Sequence, residues 1–159
     1  MRKFLLALLA LGVFSTMGAA HAAPGGTDRP LRMTGTGTAT VIPPEFSGTF
    51  HGTTSGKGTF SGSFVVGGLP PSCPASTPIT YAVTFTAANG DTINQNASGT
   101  ACATGTNKFH GTATYTITGG TGRYATATGT GSFITDTDFG NDLFGPGVLT
   151  FTEDGTISY

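Results

Sequence analysis

Apolar or small residues alternate with threonine along this chain. Between Lys108 and Thr118 the odd positions hold Phe, Gly, Ala, Tyr and Ile, while the even positions after Lys108 hold His and four threonines. A period of two is the spacing of a β-strand, whose successive side chains point to opposite faces. The alternation therefore predicts an all-β fold with an apolar inner face and a hydroxylated outer face.

The same alternation recurs along the chain and predicts eight strands. Short connections favour antiparallel pairing of sequential strands, and eight strands with one apolar face each are enough to close a barrel. We therefore predict a single eight-stranded antiparallel β-barrel domain over residues 31–159. The predicted strands are 31–41, 44–53, 56–66, 78–87, 91–104, 107–118, 123–134 and 147–157.

The first residues have the organisation of an export signal. Two basic residues precede an apolar run from Phe4 to Val13, and Ala20-His21-Ala22 forms an Ala-x-Ala cleavage site. The apolar run is shorter than the roughly 20 residues that a transmembrane helix needs. We predict a signal peptide over 1–22, a flexible segment over 23–30, and an exported product, periplasmic or extracellular, without a transmembrane anchor.

Charge and cysteine content narrow the class of protein further. Charged residues make up 9% of the chain, and no cluster of Lys and Arg is present to meet a nucleic-acid backbone. We therefore expect no nucleic-acid partner. The chain has two cysteines, Cys73 and Cys102, and an even count in an exported protein predicts a disulfide between them.

Polar residues interrupt the apolar face at Gln95, Arg123 and Glu153. Buried charges normally pair, so one interpretation is an ion pair between Arg123 and Glu153 that closes one end of the barrel. The alternative is that these three residues, with Tyr81 and Tyr115, orient a ligand in an otherwise apolar pocket. Glu153 is the only inward carboxylate, which makes it the sole candidate for a catalytic acid or base.

Gly119, Gly120 and Gly122 partly fit a dinucleotide-binding fingerprint, since Gly120-x-Gly122-x-x-Ala125 matches G-x-G-x-x-A. Such a site needs a helix N-terminus at this point, whereas the residues that follow alternate like a strand. We interpret these glycines as structural turn residues and predict no cofactor.

Three aspartates, Asp136, Asp138 and Asp142, share one predicted loop. Carboxylate oxygens are ligands that Ca²⁺ prefers, so the loop is a candidate metal site. The spacing does not fit an EF-hand, because Gly147 stands where the twelfth-position glutamate is required. A solvated acidic loop without metal is the alternative interpretation.

The segment from Tyr115 to Phe133, YTITGGTGRYATATGTGSF, resembles the strand-turn-strand signature of the allene oxide cyclase and dirigent barrels, especially their exported bacterial members. The resemblance implies an eight-stranded β-barrel with an interior pocket, which the plant families use for cyclisation or for directing radical coupling. The catalytic residues of those families do not align onto this chain, so the resemblance implies a fold and no site residues.

Three functions are compatible with these patterns. We expect a noncatalytic exported barrel that binds a small apolar ligand, because glycine and alanine between the inner rings leave space for one. The alternatives are an isomerase or cyclase that uses Glu153 in the same pocket, and a surface or matrix protein whose hydroxylated exterior is functional. An outer-membrane barrel is disfavoured, since the outer face lacks an apolar band. The inner rings belong to Phe50, Phe60, Phe64, Phe85, Phe109, Phe133 and Phe151.

Overall fold

The computed structural model describes residues 26–159, so the predicted signal peptide lies outside the described residues, as does the start of the predicted 23–30 segment. The strands are β1 (Arg29–Val41), β2 (Pro44–Gly52), β3 (Gly56–Val66), β4 (Thr77–Ala87), β5 (Thr92–Gly105), β6 (Lys108–Gly120), β7 (Gly129–Asp138) and β8 (Gly147–Ile157). They pair in sequence order, all antiparallel, and β8 pairs with β1. The predicted closed eight-stranded barrel is confirmed.

Seven strands agree with the predicted bounds to within two residues, and β7 is the exception. The sequence predicts this strand over 123–134, whereas it runs from Gly129 to Asp138. Residues Gly122–Tyr124 instead form a short 3₁₀ helix. Ala125 and Ala127 alternate with threonines at the period of a strand. They nevertheless belong to a turn that lies across the end of the barrel before β7 begins.

That turn closes one end of the barrel, which we call the closed end and which also carries turns 53–55 and 88–91. Tyr124 is fully buried there, and its hydroxyl donates to the Thr54 carbonyl oxygen at 3.2 Å. Its ring packs edge-on against Tyr159, with centroids 4.9 Å apart. The opposite end carries turns 42–43, 67–76, 106–107 and 139–146, and we call it the open end.

Aromatic rings fill the middle of the barrel. Phe60 and Phe151 pack edge-to-face with centroids 5.0 Å apart, and Phe50 and Phe85 do so at 5.2 Å, an arrangement that suits the quadrupoles of the rings. Of the seven predicted inner phenylalanines, five are buried, while Phe64 and Phe109 are partly buried against the same core.

Inner glycines lie beneath these rings. Phe46 faces Gly62 on the neighbouring strand and Phe50 faces Gly58, and a methyl group built on Gly62 would clash with the Ala82 carbonyl oxygen and would lie 2.6 Å from Phe46 Cζ. The missing side chains therefore let large rings lie against adjacent strands. Gly58 and Gly62 therefore leave no space for a ligand, because the rings of Phe50 and Phe46 occupy it.

We expect Gly62→Ala to lower the free energy of unfolding by about 1 to 3 kcal/mol, the usual cost of adding a methyl group to a packed interior. Urea unfolding of the two proteins measures the difference. Gly105→Ala is the matched control, since a methyl group there meets its nearest neighbour at 3.7 Å, and a change within about 0.5 kcal/mol is expected. Equal stability of Gly62→Ala and the wild-type protein would contradict ring-on-glycine packing.

The outer face consists of registered rows of hydroxyl and amide side chains. One row runs across five strands through Thr38, Ser47, Ser61, Thr84 and Asn94, and Thr84 Oγ1 donates to Asn94 Oδ1 at 3.1 Å. Cross-strand pairs of this kind stabilise a sheet modestly. The hydroxylated outer face predicted from the alternation is therefore present.

The predicted disulfide between Cys73 and Cys102 is confirmed, with the two Cα atoms 5.1 Å apart. It joins loop 67–76 to β5 at the open end. Beside it, Cys73 N donates to the Ala103 carbonyl at 3.1 Å, and Ala103 N donates to the Pro71 carbonyl at 2.7 Å. The loop is thus fixed along β5 by one covalent bond and two backbone hydrogen bonds.

Candidate functional site

The interior opens into a cavity of about 390 Å³ at the open end, which we call the open-end cavity. This volume is within the range of pockets that hold small molecules. Inward side chains of the strands form its walls, and these are almost entirely apolar because they continue the apolar register of each strand. The principal wall residues are Val41, Phe46, Phe64, Ile79 and Leu149.

Two loops complete the cavity. Loop 67–76 contributes Leu69 and Pro70, and loop 139–146 contributes Leu143 and Phe144. Leu69 is 80% exposed and Phe144 is 67% exposed, so both border the mouth and also face solvent. Exposed apolar side chains clustered around a cavity are a feature of ligand-binding openings.

The cavity contains a buried pair of hydroxyl groups. Tyr81 and Thr135 both line it, and their side-chain oxygens are 3.2 Å apart. The ring of Tyr81 packs edge-on against Phe133, with centroids 5.1 Å apart. Because Phe133 belongs to the filled middle of the barrel, Tyr81 stands between the packed interior and the cavity.

Gln95 and Glu153 meet inside the barrel. Gln95 Nε2 donates to Glu153 Oε2 at 3.2 Å, and both side chains are buried. Neither residue lines the open-end cavity. Burial raises the pKa of Glu153 from 4.5 to about 8, although the hydrogen bond from Gln95 opposes the shift, so the carboxyl is mostly protonated at neutral pH.

Tyr115 is also buried, and it does not line the open-end cavity. Its pKa is raised, first by burial and then by the charges of Glu153 and Asp154. Within residues 26–159, neither the Tyr115 hydroxyl nor Glu153 Oε1 has a hydrogen-bond partner. Of the five residues predicted to orient a ligand, Tyr81 alone lines the cavity. Glu153, the sole candidate catalytic group, does not reach it.

Arg123 does not lie on the inner face, where the alternation predicts it. The predicted ion pair with Glu153 is not formed, because Arg123 lies in the 3₁₀ helix at the closed end and not on the inner face of a strand. Its Nε is 3.8 Å from Asp91 Oδ2, and its Nη2 donates to the Thr54 carbonyl at 3.3 Å. The guanidinium group also lies over the Tyr124 ring at 4.7 Å. Arg123 therefore holds the turn against the closed end.

The three aspartates of the candidate calcium site have separate partners. Asp136 Oδ1 is 2.8 Å from His110 Nδ1, and Asp138 Oδ2 is 2.8 Å from Lys108 Nζ. Both aspartates belong to β7, not to a loop as predicted. Asp142 Oδ1 accepts from the Phe144 amide at 3.0 Å. Within residues 26–159 no group of three His, Cys, Asp or Glu side chains is placed to hold a metal ion.

The predicted turn glycines begin the connection to β7. Gly119 and Gly122 have φ angles of +117° and +57°, values that side chains disfavour, and Gly120 is the last residue of β6. The register between β5 and β6 also shifts next to Gly119. The helix that follows is three residues long, so this segment lacks the helix that a dinucleotide site requires.

The sequence pattern does not indicate Thr135 or the cavity residues of the two loops. The inner register of β7 is 129, 131 and 133, and its continuation would have placed Thr135 inside if the predicted strand had not ended at 134. Loop residues such as Leu69 and Phe144 follow no period, so no pattern in the sequence indicated their positions.

No protein-family model, curated protein or solved structure matches the chain. The resemblance of residues 115–133 to the allene oxide cyclase and dirigent barrels stays a prediction. Within residues 26–159, no helix has the length and apolarity needed to cross a membrane.

Proposed function

We propose that this protein is an exported barrel that binds a small, mainly apolar ligand in the open-end cavity. The observation that carries the proposal is the cavity of about 390 Å³ with apolar walls. Burial of an apolar molecule there removes its surface from water, which favours binding by roughly 25 cal/mol per Å². The Cys73–Cys102 disulfide supports export, because such bonds persist in oxidising compartments.

Catalysis is not part of the proposal. The isomerase or cyclase predicted from the sequence uses the Glu153 carboxyl as its acid or base, which must lie within reach of the substrate, and Glu153 is not among the residues that line the cavity. The resemblance to cyclase and dirigent barrels supports the idea of an interior pocket, while the chemistry of those plant families depends on residues that do not align with this chain.

Naphthalene is a suitable probe, since it is uncharged, rigid and fluorescent. We expect it to bind the wild-type protein, and we expect Ala101→Phe to weaken binding at least about tenfold, a loss of about 1.4 kcal/mol. Ala101 lines the cavity, so the added ring would occupy the space of the probe. Fluorescence titration measures both dissociation constants.

Ala82→Phe is the matched control, because Ala82 lies exposed on β4 and the same ring is added outside the barrel. Val41→Phe fills the mouth and gives a second test if Ala101→Phe does not fold, as judged by circular dichroism. Unchanged naphthalene affinity in a folded filling variant would show that the ligand site lies elsewhere.

A further inference from the structure

The Tyr81 and Thr135 hydroxyls leave one hydrogen-bond donor unused. Each group carries one hydrogen, and a single hydrogen bond between their oxygens, 3.2 Å apart, uses one of the two. Within residues 26–159 no other side chain bonds to either oxygen. Both residues are buried, at 7% and 5% exposure. Whichever group donates within the pair, the other keeps an O–H without an acceptor.

Gly111 leaves this pair uncovered. It lines the cavity with the two hydroxyl residues, and a methyl group built on it would lie 2.6 Å from Thr135 Oγ1 and 2.6 Å from Tyr81 Oη. Any larger residue at this position would therefore occupy the space beside both oxygens. The glycine keeps the spare donor accessible from the cavity.

The lining offers no charge that would hold an ionic ligand. It contains no carboxylate, lysine or arginine. Its one histidine, His110, forms a hydrogen bond through Nδ1 with the Asp136 carboxylate. Burial raises the pKa of Tyr81, so its phenol stays protonated at neutral pH and is available as a donor. An ion would lose its hydration in this cavity without compensation.

We propose that the open-end cavity selects an uncharged, mainly apolar molecule that carries one hydrogen-bond acceptor, such as a hydroxyl or carbonyl oxygen, and binds that oxygen at Tyr81 and Thr135. This inference rests on the proposed function and specifies its ligand class. An acceptor placed there takes up the O–H that the hydroxyl pair leaves unused, which a pure hydrocarbon cannot do.

The test compares 2-naphthol with 2-methylnaphthalene, which have similar size and differ by a hydroxyl in place of a methyl group. In the double variant Tyr81→Phe/Thr135→Val, we expect 2-naphthol to bind about five- to tenfold more weakly and 2-methylnaphthalene to bind as it does to the wild-type protein. The comparison within each probe cancels the difference in their solubility in water. Fluorescence titration gives the four dissociation constants.

Gly111→Ala tests the same point without removing a hydroxyl, and we expect it also to weaken 2-naphthol more than 2-methylnaphthalene. Tyr115→Phe is the control, since this buried tyrosine lies outside the cavity lining, and it should change neither affinity. Equal effects of the double variant on both probes would overturn the hydroxyl-pair inference and leave the apolar pocket in place. If the wild-type protein bound neither probe, the proposed function would fall together with the inference.

Discussion

Glu153→Gln is expected to remove most of the loss of stability that the wild-type barrel undergoes between pH 4.5 and pH 8. Burial raises the pKa of this carboxyl from 4.5 to about 8 in the folded protein, so folding favours its protonated form. Its contribution to stability is fully present below about pH 4.5 and is lost as pH rises through about 8. The interval corresponds to roughly 4 to 5 kcal/mol.

Glutamine keeps the size of the side chain and an oxygen that accepts from Gln95, but it does not ionise. We therefore expect the variant and the wild-type protein to have similar unfolding free energies near pH 4.5, and the variant to be more stable at pH 9. Urea unfolding at three pH values measures this. Asp154→Asn serves as control, because that carboxylate is exposed on the same strand. A parallel decline in the wild-type protein and Glu153→Gln would show that Glu153 is not the group responsible.

Loss of the Cys73–Cys102 disulfide is expected to lower the free energy of unfolding by about 3 to 4 kcal/mol. The bond closes a loop between residues 29 positions apart, and in the chain-entropy model a cross-link of that span removes this much conformational freedom from the unfolded chain. Urea unfolding of Cys73→Ala/Cys102→Ala against the wild-type protein under oxidising conditions gives the difference.

The disulfide should also affect the cavity, because Leu69 and Pro70 line it from the loop that the bond fixes to β5. We expect naphthalene to bind the double variant more weakly than the wild-type protein. A reducing agent should reproduce both effects in the wild-type protein and change nothing in the variant. Unaltered stability after reduction would contradict a structural role for the bond.

The sequence predicts the barrel well because every second residue of each strand points into its core. Phe60 and Phe151 point into the interior because the side chains of a strand alternate between the two faces of the sheet. The inward-facing residues of neighbouring strands share that interior. The start of β7 departs from this rule because the alternation at Ala125 and Ala127 continues the period of a strand. Burial of Tyr124 at the closed end is a long-range contact that a local pattern does not contain.

The site was less predictable than the fold for the same reason. The alternation identifies Gln95 and Glu153 as polar residues on the apolar face, and a hydrogen bond joins them in the structure. The cavity, by contrast, depends on where two aperiodic loops pass over the open end, and on Thr135, whose inward position follows only from the true end of β7. Whether an inner glycine leaves space for a ligand depends on whether an aromatic ring packs over it, and the local sequence pattern does not contain that contact.

Pairing of the first strand with the last brings both ends of the described residues to the same end of the barrel. Arg29 faces Ile157, and the Tyr159 amide donates to the Gly26 carbonyl at 3.1 Å, so the chain enters and finishes the barrel at the closed end. Gly26 and Tyr159 therefore both lie on the side of the barrel away from the mouth. Neither of these residues lies across the path by which a ligand would enter the open-end cavity.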